Sequence, residues 1–463
     1  WAMTFQVEPL PQVMGFGMVV LLAAALAVFF KRWGLGRWAV LPPVLYLTTP
    51  TFFETSAQAY VDTPTALWTF LAFYSWDRWR GGERSWWFWR MSLFCGAAVT
   101  SKLTAFMVIP LAILGIVLKG RRRPAVWSLQ HLLLFATVTG IILAPWWARN
   151  IAYSGNPFTP FFMDLLGGED RINWDSLRSR MEGHLVQHAG RGLGIFDFLA
   201  LPYTLTFLSR QGGFPFDGNI GLLHFLLIPA WLWLPWRGSG ENPRRVRTLA
   251  VLVLVLGGVW FLYFQGIRYL APLFCFLVLG AAWGAVRMLG LNRRSRTGWQ
   301  QALAWILAGG LGFNLVSIGM DWVRADPLAF VLGRETRDAY LTRRLPPYPV
   351  YRAMNAHLGP KDKALFVYMR NYGYLSDKPF VSDSFFEAHT LQKMLQRHPD
   401  LPGLIGELKR RGFTHLMFDT AFVFGPAAAF SPPEQQTLHR LLTTRARLLA
   451  SENGFALYLF MLD

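Results

Sequence analysis

The 463-residue chain is poor in cysteine, in charge and in acids. Its two cysteines, Cys95 and Cys275, both fall inside apolar runs, which excludes a disulfide framework and a cysteine-based metal site. Nine histidines are scattered and form no HExxH motif. The cysteines and histidines therefore predict no metal site. Acidic residues alone do not reveal metal use, so the use of a divalent metal stays open.

Charged residues make up only 16% of the chain and hydrophobic residues 53%, whereas soluble domains average about 25% charged. Several runs reach the roughly 20 apolar residues that cross a bilayer. We count about ten candidate spans. They lie near 13–30, 38–53, 62–79, 87–101, 103–118, 128–148, 218–236, 248–265, 269–289 and 300–320.

The net charge of +18 comes from 45 Lys and Arg against 27 Asp and Glu. These cations do not cluster on one soluble domain, so we exclude a nucleic-acid partner. They fall in short loops on one side of the spans, which the positive-inside rule makes cytoplasmic. These loops are 31–37, 78–90, 119–123, 237–247 and 287–296. The opposite short loops hold little more than Lys102 and Arg268, so those loops are predicted to be external.

The same topology assigns 1–344 to a transmembrane domain with a long external loop at 149–217. A polar, mixed-charge piece of that loop, GGEDRINWDSLRSRMEGHLVQH, has helical spacing and is predicted to lie on the membrane surface. From 345 to 463 strand-like and helical segments alternate, which predicts a small extracytoplasmic α/β domain. No phosphate-cradling glycine loop interrupts it.

Two acids occur in ETSAQAYVDTP, residues 54–64, at a predicted external loop. An acid near hydrocarbon is costly unless it faces water or a partner. Pro64 favours the first position of a helix, so Thr63 would cap the helix and leave Asp62 free to face a cavity. Simple helix capping by Asp62 is the alternative, and Glu54 could equally sit at the water interface.

Cations on the same external side are candidates for anion binding. Lys102 could hold a phosphate as a point charge, or could extend to the interface as long side chains do. Arg268 could grip phosphate oxygens, or could anchor the interface together with Tyr269. Arg149 and Asn150 follow the sixth span in PWWARN; they are substrate-binding candidates that structural roles could also explain.

Several segments in this order resemble one known family. They are GRWAVLPPVLYLTTPTFFETSAQAYVDTPTALW, GAAVTSKLTAF, PWWARNIAYSGNPFTPFF, IRYLAP, PKDKALFV and ELKRRGFTHLMFD, followed by a closing strand after ENG. The arrangement resembles the GT-C glycosyltransferases of the bacterial protein-mannosyltransferase and aminoarabinose-transferase type (family 39-like). The resemblance implies a polytopic α-helical membrane fold with a small C-terminal α/β soluble domain, in the bacterial inner membrane with that domain periplasmic.

The resemblance also implies inverting transfer of a sugar from a polyprenyl-phosphate donor to a protein, lipid or glycan acceptor, without a nucleotide cofactor. Asp62 and Glu54 would be the catalytic acids. Lys102, Arg268 and Tyr269 would lie on the phosphate side.

One departure concerns the start of the chain. The family's first span and first external loop, which carries its principal acid, are expected to be missing. If so, a non-catalytic subunit of a larger membrane complex is an alternative. A lipid-handling transporter is another, although paired broken helices near mid-membrane are not evident in the sequence.

Overall fold

The computed structural model describes residues 10–56, 58–121, 123–159, 162–167, 190, 192–210, 216–237, 241–263, 265–291, 297–369, 372–383, 389–426, 428 and 430–461. The chain divides into two compact units, the first reaching to Asp321 and the second starting at Trp322. The domain boundary predicted at 344/345 stays a prediction. The polar stretch predicted to lie on the membrane surface falls almost entirely outside the described residues.

The first unit is helical. Its helices are α1 Leu10–Lys31, α2 Leu41–Leu47, α3 Pro50–Ser56, α4 Asp62–Arg80, α5 Trp86–Ser101, α6 Val108–Gly120, α7 Ala125–Ser154, α8 Met163–Leu166, α9 Ile195–Leu199, α10 Leu201–Phe207, α11 Leu222–Arg237, α12 Glu241–Tyr263, α13 Ala271–Met288 and α14 Gly298–Ala325. Tight 3₁₀ turns occur at Gly36–Trp38, Leu103–Met107 and Ile267–Leu270.

Within the described part of the chain, six helical segments are long and apolar enough to cross a bilayer. They are Leu10–Lys31, Leu103–Gly120, Ala125–Ser154, Asn242–Leu262, Ile267–Met288 and Gly298–Ala325. The polytopic membrane fold predicted from the sequence is confirmed, and the chain is an integral membrane protein. The expected span at 38–53 is instead two seven-residue helices, because the chain breaks at Thr48 and Thr49 before Pro50.

The segment Ile267–Met288 is the centre of the first unit. Its most apolar window is 89% buried, against 17–33% for the other five segments. The phenyl rings of Phe274 and Phe276 pack on aromatic side chains of α3 and α4, Phe52 and Phe73. A helix packed on all sides has a fixed position, so the turn at its start is fixed as well.

The second unit contains helices and one sheet. The helices are α15 Pro327–Val331, α16 Arg337–Arg344, α17 Tyr348–His357, α18 His389–Arg397, α19 Leu401–Arg410, α20 Thr420–Phe424 and α21 Pro432–Thr444. The strands are β1 Ala364–Val367, β2 Phe380–Ser382, β3 His415–Asp419, β4 Ala446–Glu452 and β5 Phe455–Phe460. The 3₁₀ turn Gly373–Leu375 precedes β2.

The sheet has the order β2-β1-β3-β5-β4. Strand β1 pairs in parallel with β2 and β3, whereas β5 is antiparallel to β3 and β4. The β4–β5 hairpin turns at Asn453 and Gly454, both with positive φ, as a two-residue hairpin turn requires. The small α/β domain predicted from alternating strands and helices is therefore confirmed.

His415, at the start of β3, makes the stability of this sheet depend on pH. Burial lowers the pKa of its imidazole below the ordinary 6.5, so the unfolded state binds the proton more readily. The stabilisation is complete above the unfolded pKa and is lost as the pH falls below about 6.5. We expect amide protection of β3 and β5, corrected for intrinsic exchange, to fall between pH 7.5 and pH 5.5.

His415→Asn should flatten this pH dependence in hydrogen-exchange mass spectrometry. His439→Asn, at an exposed position on α21, is the control and should keep it. An unchanged pH profile in His415→Asn would contradict the assignment.

Candidate active site

The candidate site begins between α3 and α4. Glu54 lies on α3, and Asp62 is the first residue of α4. Helix α4 thus starts before Pro64, and no side chain caps it, so the expected cap at Thr63 is wrong. Asp62 is only 4% exposed, and a buried carboxylate needs a charged or hydrogen-bonding partner.

Lys102 is that partner. It lies between α5 and the turn Leu103–Met107, and its extended backbone (φ −156°, ψ 125°) separates the two helical segments. Its Nζ lies 2.5 Å from Asp62 Oδ1, and the side chains are 16% and 5% exposed. The ammonium group is directed to an acid, which argues against Lys102 as a mere interface anchor.

Two tyrosines and an arginine surround this ion pair. Lys102 Nζ lies 3.6 Å from the centroid of the Tyr269 ring. The guanidinium carbon of Arg268 lies 5.1 Å from the Tyr60 ring centroid and 5.3 Å from that of Tyr269. Both cations therefore have attractive aromatic faces beside them. We call Tyr60, Asp62, Lys102, Arg268 and Tyr269 the acid–cation cluster.

Tyr60 was not predicted from the sequence. Burial raises the pKa of its phenol and Arg268 opposes the rise. Three carboxylates raise this pKa further, those of Asp217, Glu54 and Asp62. The acids and the arginine thus act on one phenol. The sequence signal that could have identified Tyr60 is its place two positions before an acid in a predicted external loop.

Hydrogen bonds to backbone groups hold the segments that carry the site in fixed positions. The Thr51 hydroxyl on α3 accepts from Asn219 N at 2.6 Å and donates to Asn219 O at 2.9 Å. Ile267 N donates to Phe216 O at 2.9 Å. At Gly218 (φ 153°) a Cβ would lie 2.5 Å from Thr51 Oγ1, so only glycine fits. The segment 216–219 therefore ties α3 to the turn that carries Arg268.

Glu54 is the second predicted acid. It is half-buried, and its Oε1 accepts a hydrogen bond from Gln58 Nε2 at 2.9 Å. It also acts electrostatically on Tyr60. The structure thus places Glu54 beside the acid–cation cluster, on the neighbouring helix.

Arg149 and Asn150 have other contacts near the end of α7. Asn150 Nδ2 donates to Pro157 O at 3.0 Å and closes the turn after the helix. The Arg149 guanidinium is exposed and lies over the Trp146 and Tyr153 rings of its own helix. Among the described residues, no hydrogen bond or ion pair joins either side chain to the acid–cation cluster.

An apolar cavity of ≈730 Å³ adjoins the cluster at Tyr269. Helices α4, α5, α6, α12 and α13 form its walls, largely with aliphatic and aromatic side chains. On α12 the wall runs from Arg244 to Trp260, which is about 24 Å of helix at ~1.5 Å per residue. Trp260 donates to Gly266 O at 2.9 Å, next to Arg268. Arg244 and Arg247 lie at the opposite end, which we call the basic end.

Among the residues that the structure describes, no group of three or more His, Cys, Asp or Glu side chains is placed to hold a metal ion. The charged groups of the acid–cation cluster are two cations and one acid. That set is suited to an anionic ligand.

Taken together, these observations describe a polytopic membrane protein with an acid–cation cluster beside an apolar cavity. The structure of ArnT from Cupriavidus metallidurans in the apo state has a TM-score of 0.56 and 14% identity to this chain, covering 97% of this chain and 83% of that one. The ArnT structure bound to undecaprenyl phosphate has a TM-score of 0.54 with the same identity and coverage. The fold expected from the sequence motifs is confirmed.

A more distant likeness extends to the oligosaccharyltransferase of Archaeoglobus fulgidus in the apo form, with a TM-score of 0.50 and 14% identity. It covers 89% of this chain and 58% of that one. No curated protein matches the chain. The chain belongs to the family described as Domain of unknown function (DUF8201), whose model matches residues 2–275.

The ion pair predicts a measurable coupling between Asp62 and Lys102. Removing one partner leaves the other charge largely buried, which costs about 3–5 kcal/mol. We expect Asp62→Leu and Lys102→Met each to lower the free energy of unfolding in detergent. The double variant should lose less than the sum of the two, with a coupling of about 1–3 kcal/mol. Additive losses would contradict the pair, and Lys31→Met, at an exposed end of α1, is the control.

Proposed function

We propose that the chain is a glycosyltransferase that takes a sugar from a polyprenyl-phosphate donor. The observation that carries this proposal is the position of two cations, Lys102 and Arg268, against Tyr269 at one end of a long apolar cavity. An amphiphile with a phosphate head and an isoprenoid tail matches both features. The ArnT structure bound to undecaprenyl phosphate shares the fold and supports this class of ligand.

The cations would bind the phosphate and stabilise the charge that develops on it as the sugar leaves. Arg268 presents a planar fork of donors to phosphate oxygens, and Lys102 supplies a compact charge. The Tyr60 and Tyr269 rings beside the two cations restrict where these can point. Tyr269 belongs to both the cluster and the cavity wall, so it marks the junction between head and tail.

Asp62 and Lys102 would exchange partners when the donor binds. A phosphate that takes Lys102 Nζ releases the Asp62 carboxylate from its 2.5 Å contact. The released carboxylate can accept the proton of the acceptor hydroxyl as a general base. The hydroxyl oxygen then bonds to the anomeric carbon, the bond from that carbon to the phosphate oxygen breaks, and polyprenyl phosphate leaves with the electron pair. Direct displacement inverts the anomeric centre.

Glu54 is the second candidate for the base. It lies on α3, beside the cluster, and is more exposed than Asp62. A base on α3 would leave Asp62 to position Lys102. The two roles predict different activities for an amide variant. An isosteric amide keeps much of the function of a positioning residue, whereas it removes a proton acceptor.

Transfer activity should depend on both members of the ion pair. Asp62→Asn removes a proton acceptor, which typically costs about 10²–10⁴-fold in rate. Lys102→Ala removes a phosphate partner and should cost about 10²-fold. Lys31→Ala, at an exposed position on α1, should keep the wild-type rate.

The assay is complementation of a gene-deletion strain, with mass spectrometry of membrane extracts. Deletion should remove one glycan and accumulate one lipid-linked sugar. Wild-type complementation by Asp62→Asn and Lys102→Ala, with equal protein in the membrane, would overturn the site. Poor complementation by Glu54→Gln together with good complementation by Asp62→Asn would move the base to Glu54.

We also propose that the cluster and the second unit face the periplasm of a bacterial inner membrane, as the asymmetry of loop charge favours. Cys95 and Cys275 are buried, so introduced cysteines can report the side. A membrane-impermeant maleimide should label Ala59→Cys and Ser451→Cys in intact spheroplasts. It should label Ser85→Cys only after the membrane is opened. The reverse pattern would contradict the orientation.

A further inference from the structure

We infer that the apolar cavity selects donors by tail length, and that Gly115 and Trp76 determine this selection. The inference rests on the proposed function and adds the class of lipid: a long polyprenyl chain in preference to a short one. It depends on the depth of the cavity, its basic end and one close contact inside it.

The depth of the cavity can be measured along the helices that form its walls. Trp76 follows Asp62 by 14 residues on α4, which places it about 21 Å along the helix from the ion pair at ~1.5 Å per residue. Trp76 and Gly115 both line the cavity. A tail whose phosphate is held at Lys102 must therefore extend through most of the membrane before it meets them.

The basic end limits the tail. Arg244 and Arg247 belong to the same wall as the aliphatic residues of α12. A hydrocarbon chain gains nothing by desolvating their guanidinium groups. The favourable contacts for a tail thus lie between this basic end and Tyr269.

The close contact is between Gly115 and the indole of Trp76. A Cβ at position 115 would lie 2.3 Å from Trp76 Nε1 and 2.9 Å from its Cδ1. An indole ring is rigid, so it would have to move as a whole. Its N–H has no hydrogen-bond partner among the described residues, so no hydrogen bond restrains it.

The direction of that movement follows from its neighbours. Phe73 lies 5.7 Å from Trp76, centroid to centroid, and the Arg80 guanidinium lies over the indole at 4.9 Å. Gly115 occupies a further side. Trp76 and Gly115 also line the cavity, so a side chain at position 115 would displace the indole at a depth that only a long tail reaches.

The test is competitive binding of undecaprenyl phosphate and farnesyl phosphate to the purified full-length chain, read by native mass spectrometry. The wild type should prefer undecaprenyl phosphate. Gly115→Ala should weaken the binding of undecaprenyl phosphate about tenfold, the equivalent of about two lost methylene contacts. It should leave the affinity for farnesyl phosphate unchanged, because the short tail ends before that depth.

Two further variants keep the result interpretable. Gly258→Ala on α12 meets no atom within 4 Å and should change neither affinity. Trp76→Leu in the Gly115→Ala background gives the side chain room and should restore the long-tail preference. An unchanged affinity of Gly115→Ala for farnesyl phosphate separates a filled cavity from a damaged fold, because a damaged fold would weaken the binding of both lipids.

If Gly115→Ala weakens the binding of both lipids equally, or of neither, selection by tail length is overturned while the proposed donor class stays intact. A wild type that binds both lipids equally would do the same. A wild type that binds neither lipid would overturn the proposed function, and the selection with it.

Discussion

The ion pair between Asp62 and Lys102 is the interaction on which the site depends. Neither charge is stable alone among apolar helices, because desolvation costs several kcal/mol per ion. At 2.5 Å each satisfies the other. The pair also joins the start of α4 to the end of α5, two points that are 40 residues apart in sequence. A ligand that takes over one of these charges must therefore alter the other, and in the proposed function that ligand is the anionic headgroup of the donor.

The same end of the first unit collects the breaks in the helices. The chain leaves helical geometry at Thr48–Thr49, at Lys102 and before Ile267, and each break frees backbone groups that need partners. Side chains provide them: Thr49 Oγ1 donates to Leu45 O at 2.9 Å, and Asn314 Nδ2 donates to Thr48 O at 3.0 Å. Irregular backbone inside protein is tolerated where it forms a site. Here the breaks direct polar side chains toward one region and leave the apolar helices to enclose the adjoining cavity.

Sequence patterns predicted the fold well, because long apolar runs and loop charges report directly on membrane crossing. They also predicted Asp62, Lys102, Arg268 and Tyr269, which the structure brings together. Three features escaped them. The partner of Asp62 depends on tertiary packing, so a capping rule misplaced the start of α4. Tyr60 and the cavity were not anticipated, since convergence of helices distant in sequence leaves no local pattern. Arg149 and Asn150 were credible by position, yet their contacts are with their own helix end.

In the proposed function, Lys102 exchanges Asp62 for a lipid phosphate. An experimental structure of the chain with undecaprenyl phosphate tests this most directly. We expect a phosphate oxygen within hydrogen-bonding distance of Lys102 Nζ and of the Arg268 guanidinium, with the tail in the apolar cavity and Asp62 Oδ1 separated from Lys102. A phosphate bound elsewhere, with the 2.5 Å ion pair intact, would contradict it.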